Sequence, residues 1–195
     1  DAAHFGWLMA QAISCAPRLD VTYYPSTQWE WVLELDPSLR EAFWRDLEAR
    51  TNYYFQASMA QPAMKTKAIG KGSQYVRSAR DSNGEWLDGS NMYRLRVPAN
   101  PPVELFWSVT VHDFETRSQI QNDTNNAALS SYDKLKKNND GSIDLYFGPR
   151  APEGMENNWI KTIPGRGWWV WFRFYSPTEA FFDKTWQLPD FEKVK

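Results

Sequence analysis

Cys15 is the single cysteine of this chain, so no internal disulfide framework is available and no cysteine-based zinc site can form. Histidine is almost as scarce: His4 and His112 stand alone, outside any His-x-His or His-Glu-x-x-His pattern. Nothing in the sequence therefore calls for a metal or a cofactor. No apolar run approaches the roughly 18 residues that a membrane-spanning helix needs. An excess of positive charge is also missing. Lys and Arg number 22 against 24 Asp and Glu, a net charge of -2, which sets aside the basic stripe of a nucleic-acid binder. No Gly-x-Ser-x-Gly elbow marks a nucleophilic serine. The sequence opens at Asp1 rather than Met, inside a helical pattern, so a processed, trimmed or incomplete chain is expected, with any signal peptide out of view.

Aromatic residues are abundant. They make up 16% of 195 residues, with 11 Trp, a composition that favours pleated sheet and also suits ligand pockets. They concentrate in Trp168-Trp169-Val170-Trp171-Phe172-Arg173-Phe174-Tyr175. As a β-strand this run places Val170, Phe172 and Phe174 on one face, which reads as core. Trp169, Trp171, Arg173 and Tyr175 fall on the other, where an arginine among indoles and a phenol suits stacking and hydrogen bonding.

Apolar spacing predicts a short helix over residues 3–14, ended by Pro17. Asp36-Pro37 supplies an N-cap and a first-turn proline, predicting a second helix to about Ala60, where Gln61-Pro62 stops it. From Ser73 onward the period becomes two. Strands are predicted around 74–80, 85–87, 92–97, 105–112, 143–147 and 168–175. Turns are predicted at Asn83-Gly84, Asn139-Asp140-Gly141 and Pro164-Gly165. The polar stretch 116–138 reads as a loop covering a site. Several short strands joined by turns argue for a mainly β, antiparallel sandwich with an N-terminal helical segment, built as one compact unit.

A set of motifs in order narrows this. Gly72-Ser73-Gln74-Tyr75, Leu87-Asp88-Gly89-Ser90-Asn91-Met92-Tyr93, Phe106-Trp107-Ser108-Val109-Thr110-Val111-His112-Asp113 and Asn139-Asp140-Gly141-Ser142-Ile143-Asp144-Leu145-Tyr146-Phe147-Gly148-Pro149 are followed by Asn157-Asn158-Trp159-Ile160 and Phe182-Asp183-Lys184-Thr185-Trp186. Together these resemble a bacterial family, domain of unknown function 1214, which commonly follows domain of unknown function 1254. The resemblance implies a jelly-roll-like β-sandwich over residues 72–195. Residues 1–71 would be a helical lead-in left from the partner domain. It also implies an exported protein, periplasmic or secreted, although the sequence itself leaves a cytoplasmic location open. The family brings no established activity.

Candidate residues follow from chemistry. Arg173 would anchor a small organic or carbohydrate-like ligand, with Trp107, Trp169, Trp171, Tyr175 and Trp159 as walls and Asn158 as a hydrogen-bonding side chain. Structural pairing of Arg173 with Asp113 or Asp144 is the competing reading. A hydrolase or lyase would use His112, Asp113 or Tyr93 as acid and base groups, although adjacent strand residues such as His112 and Asp113 point to opposite faces. A third reading is an assembly domain, with the aromatic face packed against a second copy or a partner domain. Asn122-Asp123-Thr124 matches a glycosylation sequon, a motif that arises often by chance.

Overall fold

The computed structural model describes residues 2–15, 22–31, 40–41, 44–45 and 67–194. Helix α1 (Ala2–Cys15) occupies the first predicted helical stretch, and its residues 2–9 are exposed. Strands β1 (Glu30–Trp31), β2 (Arg40–Glu41) and β3 (Trp44–Arg45) follow. The helix predicted from Pro37 to Ala60 is corrected at residues 40–41 and 44–45, where β2 and β3 pair antiparallel, Arg40 with Arg45 and Glu41 with Trp44. Local spacing alone rarely holds a helix without a packed apolar face, and an aromatic residue such as Trp44 is equally at home in a strand. The remainder of that predicted helix lies outside the described residues.

The sheet half begins at β4 (Ser73–Ser78) and continues through β5 (Met92–Val97), β6 (Val103–Asp113), β7 (Ala128–Ser130), β8 (Ile143–Gly148), β9 (Trp159–Lys161) and β10 (Trp168–Pro177). A four-residue helix α2 (Glu179–Phe182) and β11 (Glu192–Val194) close it. These strands form a five-stranded sheet ordered β1-β4-β10-β6-β7 and a four-stranded sheet ordered β11-β5-β8-β9. The fold is mainly β. All pairs are antiparallel except β8 with β9, which run parallel.

Alternation decides which side chains fill the space between the sheets. Val76, Phe172 and Val109 lie in one row across β4, β10 and β6, and all three are fully buried. Trp168 bridges the sheets. Its ring stacks on Phe147 of β8 at 5.4 Å and meets Tyr93 of β5 edge-on at 5.7 Å. Each large side chain buried this way contributes roughly 1.5–3 kcal/mol. Residues 22–31 join the same core. Tyr23 and Trp29 are buried, the Tyr23 hydroxyl donates to the Phe181 carbonyl at 2.7 Å, and Trp29 Nε1 donates to the Pro189 carbonyl at 2.9 Å.

The predicted turns appear where glycine permits a left-handed backbone. Gly84 (φ 81°), Gly141 (φ 80°) and Gly165 (φ 77°) each sit in one. The 116–138 stretch is not an open lid. It contains β7, a bridge from Gln119 back to His112, and Leu129 in the core. Asn122 is almost fully buried, and its Nδ2 donates to the carbonyls of Asn126 and Lys161, so the sequon asparagine is committed to structure.

Candidate functional site

The outer face of the five-stranded sheet is a grid fixed by register. One row holds Arg77 of β4, Trp171 of β10 and Thr110 of β6. The next row toward one end pairs Trp169 with His112, and the next toward the other sets Tyr75, Arg173, Ser108 and Ser130 side by side. Beyond these, Ser73, Tyr175 and Phe106 form the last row.

This face is not a solvent-washed surface. Trp169 is 1% exposed and Trp171 7%, while Arg173 and Tyr175 are partly exposed. The closed end is built around Trp169. The His112 imidazole stacks on its indole, and the Arg117 and Arg77 guanidiniums lie over it at 4.6 and 5.6 Å. Arg117 reaches that position because its left-handed backbone (φ 63°) reverses the chain after Asp113. Arg77 is paired with Glu30 at 3.0 Å. At the open end, Tyr175 stacks on Phe106 at 4.0 Å and Phe106 meets Tyr132 at 4.7 Å.

Arg173 lies between the two ends. Its Nη1 donates to Thr110 Oγ1 at 2.6 Å, and its guanidinium faces the Tyr75 ring at 6.0 Å. Burial pulls its pKa below the ordinary arginine value, opposed by the hydroxyls of Tyr175 and Tyr75. Among the described residues no carboxylate lies within ion-pair distance of Arg173. Asp113 is instead paired with Arg166 at 2.9 Å, and Asp144 Oδ2 accepts from Asn138.

His112 Nδ1 lies 3.4 Å from the Arg117 carbonyl oxygen. A carbonyl only accepts, so Nδ1 carries the proton and Nε2 presents a lone pair. Burial, reinforced by Arg173 and Arg117 against the Arg117 hydrogen bond, lowers the pKa of His112 to about 4. The imidazole is neutral at ordinary pH. Both His112 Nε2 and Trp169 Nε1 are buried without a hydrogen-bond partner, adjacent to each other on the same face.

The other residues singled out by sequence lie elsewhere. Trp107 points into the core, stacked on Phe172 at 5.3 Å, on the face opposite Arg173. Asn158 is fully buried beneath the other sheet and spends its side chain on Lys136 and the Asp144 carbonyl. Trp159, on β9, donates to the Gly148 carbonyl at 2.9 Å. Tyr93 is a core residue whose hydroxyl accepts from the Asp88 amide at 3.2 Å. Asp113, on the opposite face from His112, accepts from the amides of Glu115 and Thr116. The structure thus brings together Arg173, Trp169, Trp171, Tyr175 and His112, and separates from them Trp107, Asn158, Trp159, Tyr93 and Asp113. Thr110, Arg77, Arg117 and Tyr75 are the additional members of the face. Three of them share the alternation that selected Arg173 and His112, so their phase in β4 and β6 was the available signal.

Trp107 does border a different feature, a cavity of about 490 Å³ at one end of the sandwich, edged by Asn100, Val103, Ser131, Lys137, Asp140 and Ile143. Asp140 there is held by Ser142 and by Arg96 at 2.6 Å, which lowers its pKa to about 2. Among the described residues no group of His, Cys, Asp and Glu is arranged to hold a metal ion. No helix among them is long and apolar enough to cross a membrane.

Residues 72–179 match the family described as "Protein of unknown function (DUF1214)". The chain belongs to the DUF1214 family. No curated protein matches it. Among solved structures, the VPA0106 protein from Vibrio parahaemolyticus is similar at 25% identity and a TM-score of 0.59, over 76% of this chain and 35% of that one. An uncharacterised protein from Burkholderia cenocepacia is similar at 16% identity and a TM-score of 0.45, over 63% of this chain and 30% of that one. The DUF1214 chain therefore spans about a third of the length of these two solved structures.

Proposed function

We propose that this chain is a ligand-binding module that holds a small organic anion on the outer face of its larger sheet. The observation that carries this reading is Arg173. Its guanidinium is partly withdrawn from water and steadied by one neutral hydroxyl, with no carboxylate partner among the described residues. A desolvated cation of this kind gains most from an anion that brings two acceptors, and a guanidinium fork matches a carboxylate. Tyr75, Trp171 and Tyr175 would flank the apolar part of such a ligand. Arg77, paired with Glu30, and Arg117, over Trp169, add guanidinium groups to the same face, a setting that suits an acid better than a neutral sugar.

The enzyme reading has less support, because His112 faces outward on the larger sheet, whereas Asp113 and Tyr93 are on its other side and are each engaged by backbone amides. As an assembly surface the face is also a poor match, since Trp169 and Trp171 are buried within a single chain. The whole protein would pair this module with a helical partner domain of the 1254 type, in an exported setting.

Calorimetric titration with benzoate and with neutral benzamide tests the proposal. Benzoate should bind, benzamide at least tenfold more weakly, and Arg173→Gln should abolish the difference. Equal binding of the two by the wild type, or undiminished benzoate binding by a folded Arg173→Gln, would overturn it.

A further inference from the structure

The same face carries a hydrogen-bond acceptor that a simple carboxylate would leave unused. His112 Nε2 is buried and unpartnered, and its lone pair follows from the proton that Nδ1 gives to the Arg117 carbonyl. Leaving such a group unmatched forfeits its hydration with no return, so an occupant that supplies a donor is favoured. Thr110, which holds Arg173, and His112 are two residues apart on one face of β6, roughly 7 Å along the strand. The electrostatic influence of Arg173 on the titration of His112 agrees with this closeness.

Resting on the anion reading above, we infer that the ligand is a 2-hydroxy acid, with its carboxylate on Arg173 and its hydroxyl donating to His112 Nε2. A thiol or primary amide could also donate, but a protonated amine is disfavoured beside Arg173, Arg117 and Arg77. The aromatic neighbours Trp171, Tyr75 and Tyr175 suit a substituent with a flat apolar group. The indole Nε1 of Trp169, likewise unpartnered, offers a donor to the hydroxyl oxygen from the same corner.

Three probes that share one skeleton separate the two levels of this inference: each enantiomer of mandelate, phenylacetate, which lacks the hydroxyl, and 2-methoxy-2-phenylacetate, which keeps the oxygen but has no proton to donate. One mandelate enantiomer should bind at least tenfold more tightly than phenylacetate or the methoxy acid. His112→Phe, which keeps a ring on Trp169 without a lone pair, should erase that advantage while phenylacetate binding persists. If His112→Phe does not fold, the comparison of mandelate with phenylacetate in the wild type decides. Equal affinity for mandelate and phenylacetate would overturn the hydroxyl contact and leave the anion reading standing. A mandelate advantage that survives in folded His112→Phe would overturn the assignment to His112. Binding of none of the acids would sink both readings together.

Discussion

The His112 imidazole lies nearly parallel to the Trp169 indole, with ring centroids 4.4 Å apart and planes inclined by 20°. The two residues are direct cross-strand partners in the β6–β10 ladder, so the sheet itself sets their spacing. Burial in that stack favours the neutral ring, and it links the ionisation of one histidine to the stability of the sheet's outer face.

That linkage has a definite sign. His112 in the folded state titrates near 4, below its unperturbed 6.5, mainly because burial penalises the charged ring. The unfolded chain therefore takes up the proton first. The contribution is complete above about pH 6.5 and is lost progressively as pH falls toward 4, by a total on the order of 3 kcal/mol. Urea denaturation of wild type and His112→Asn between pH 4 and 8 checks this. The stability difference between them should shrink as pH falls through that window. A difference independent of pH would show that the ring is not held neutral by its surroundings.

Asp113 is expected to matter for folding and not for binding. Its Oδ1 accepts from the Glu115 amide at 3.0 Å and from the Thr116 amide at 2.9 Å, and its Oδ2 meets Arg166 at 2.9 Å. The residue is 4% exposed, so removing it strands several donors. Asp113→Ala should lose roughly 3 kcal/mol of stability in chemical denaturation. The folded fraction should bind benzoate as the wild type does. A variant of full stability that fails to bind would instead place Asp113 in the site.

Much of this was legible in the sequence, and the limits have physical causes. Strict alternation in 105–112 and 168–175 fixed which side chains enter the core, because a pleated strand leaves no other choice. Leu105 departs from that pattern and is 63% exposed, since it lies near the start of β6, away from the packed centre. The same alternation put Arg173 and Trp169 on one face. It also put Trp107 in phase with Val109 and Val111, on the core side and so opposite Arg173, and placing Trp107 among the walls of the Arg173 site ran against that signal. The Pro37–Ala60 helix failed at β2 and β3 for a different reason: capping signals start a helix, but packing keeps it. Arg117 escaped notice because its position over Trp169 depends on a left-handed backbone that no spacing rule announces.

Asn158 should act as a clamp on the segment leading into β8. Its Oδ1 accepts from the Lys136 amide at 2.8 Å, and its Nδ2 donates to the carbonyls of Lys136 and Asp144, both at 2.9 Å. Asn158→Ala removes three hydrogen bonds at a fully buried position and should lower stability by about 2–4 kcal/mol. Hydrogen exchange gives the sharper reading. The Lys136 amide should lose protection far more than amides of β10, whereas uniform loss across both would mean that the clamp is global.

Gly89 is required by close approach of backbone to backbone. A Cβ built there falls 2.1 Å from the Ile163 carbonyl oxygen and 3.0 Å from that of Arg166, and neither atom belongs to a side chain that could swing away. The contact is also pinned from both sides: the Gly89 amide donates to the Arg166 carbonyl at 2.9 Å, and its own carbonyl accepts from Thr162 Oγ1 at 2.8 Å. Gly89→Ala should therefore cost at least ~3 kcal/mol by overpacking and loss of these bonds. Gly84→Ala supplies the contrast. Its Cβ would meet open space, and only the left-handed backbone at φ 81° resists it, a penalty of about 1 kcal/mol. Urea midpoints for the two variants should differ clearly, with Gly89→Ala the lower. Similar midpoints would mean that the 163–166 turn can retreat from Gly89, and that the two loops are joined there more loosely than the short hydrogen bonds imply.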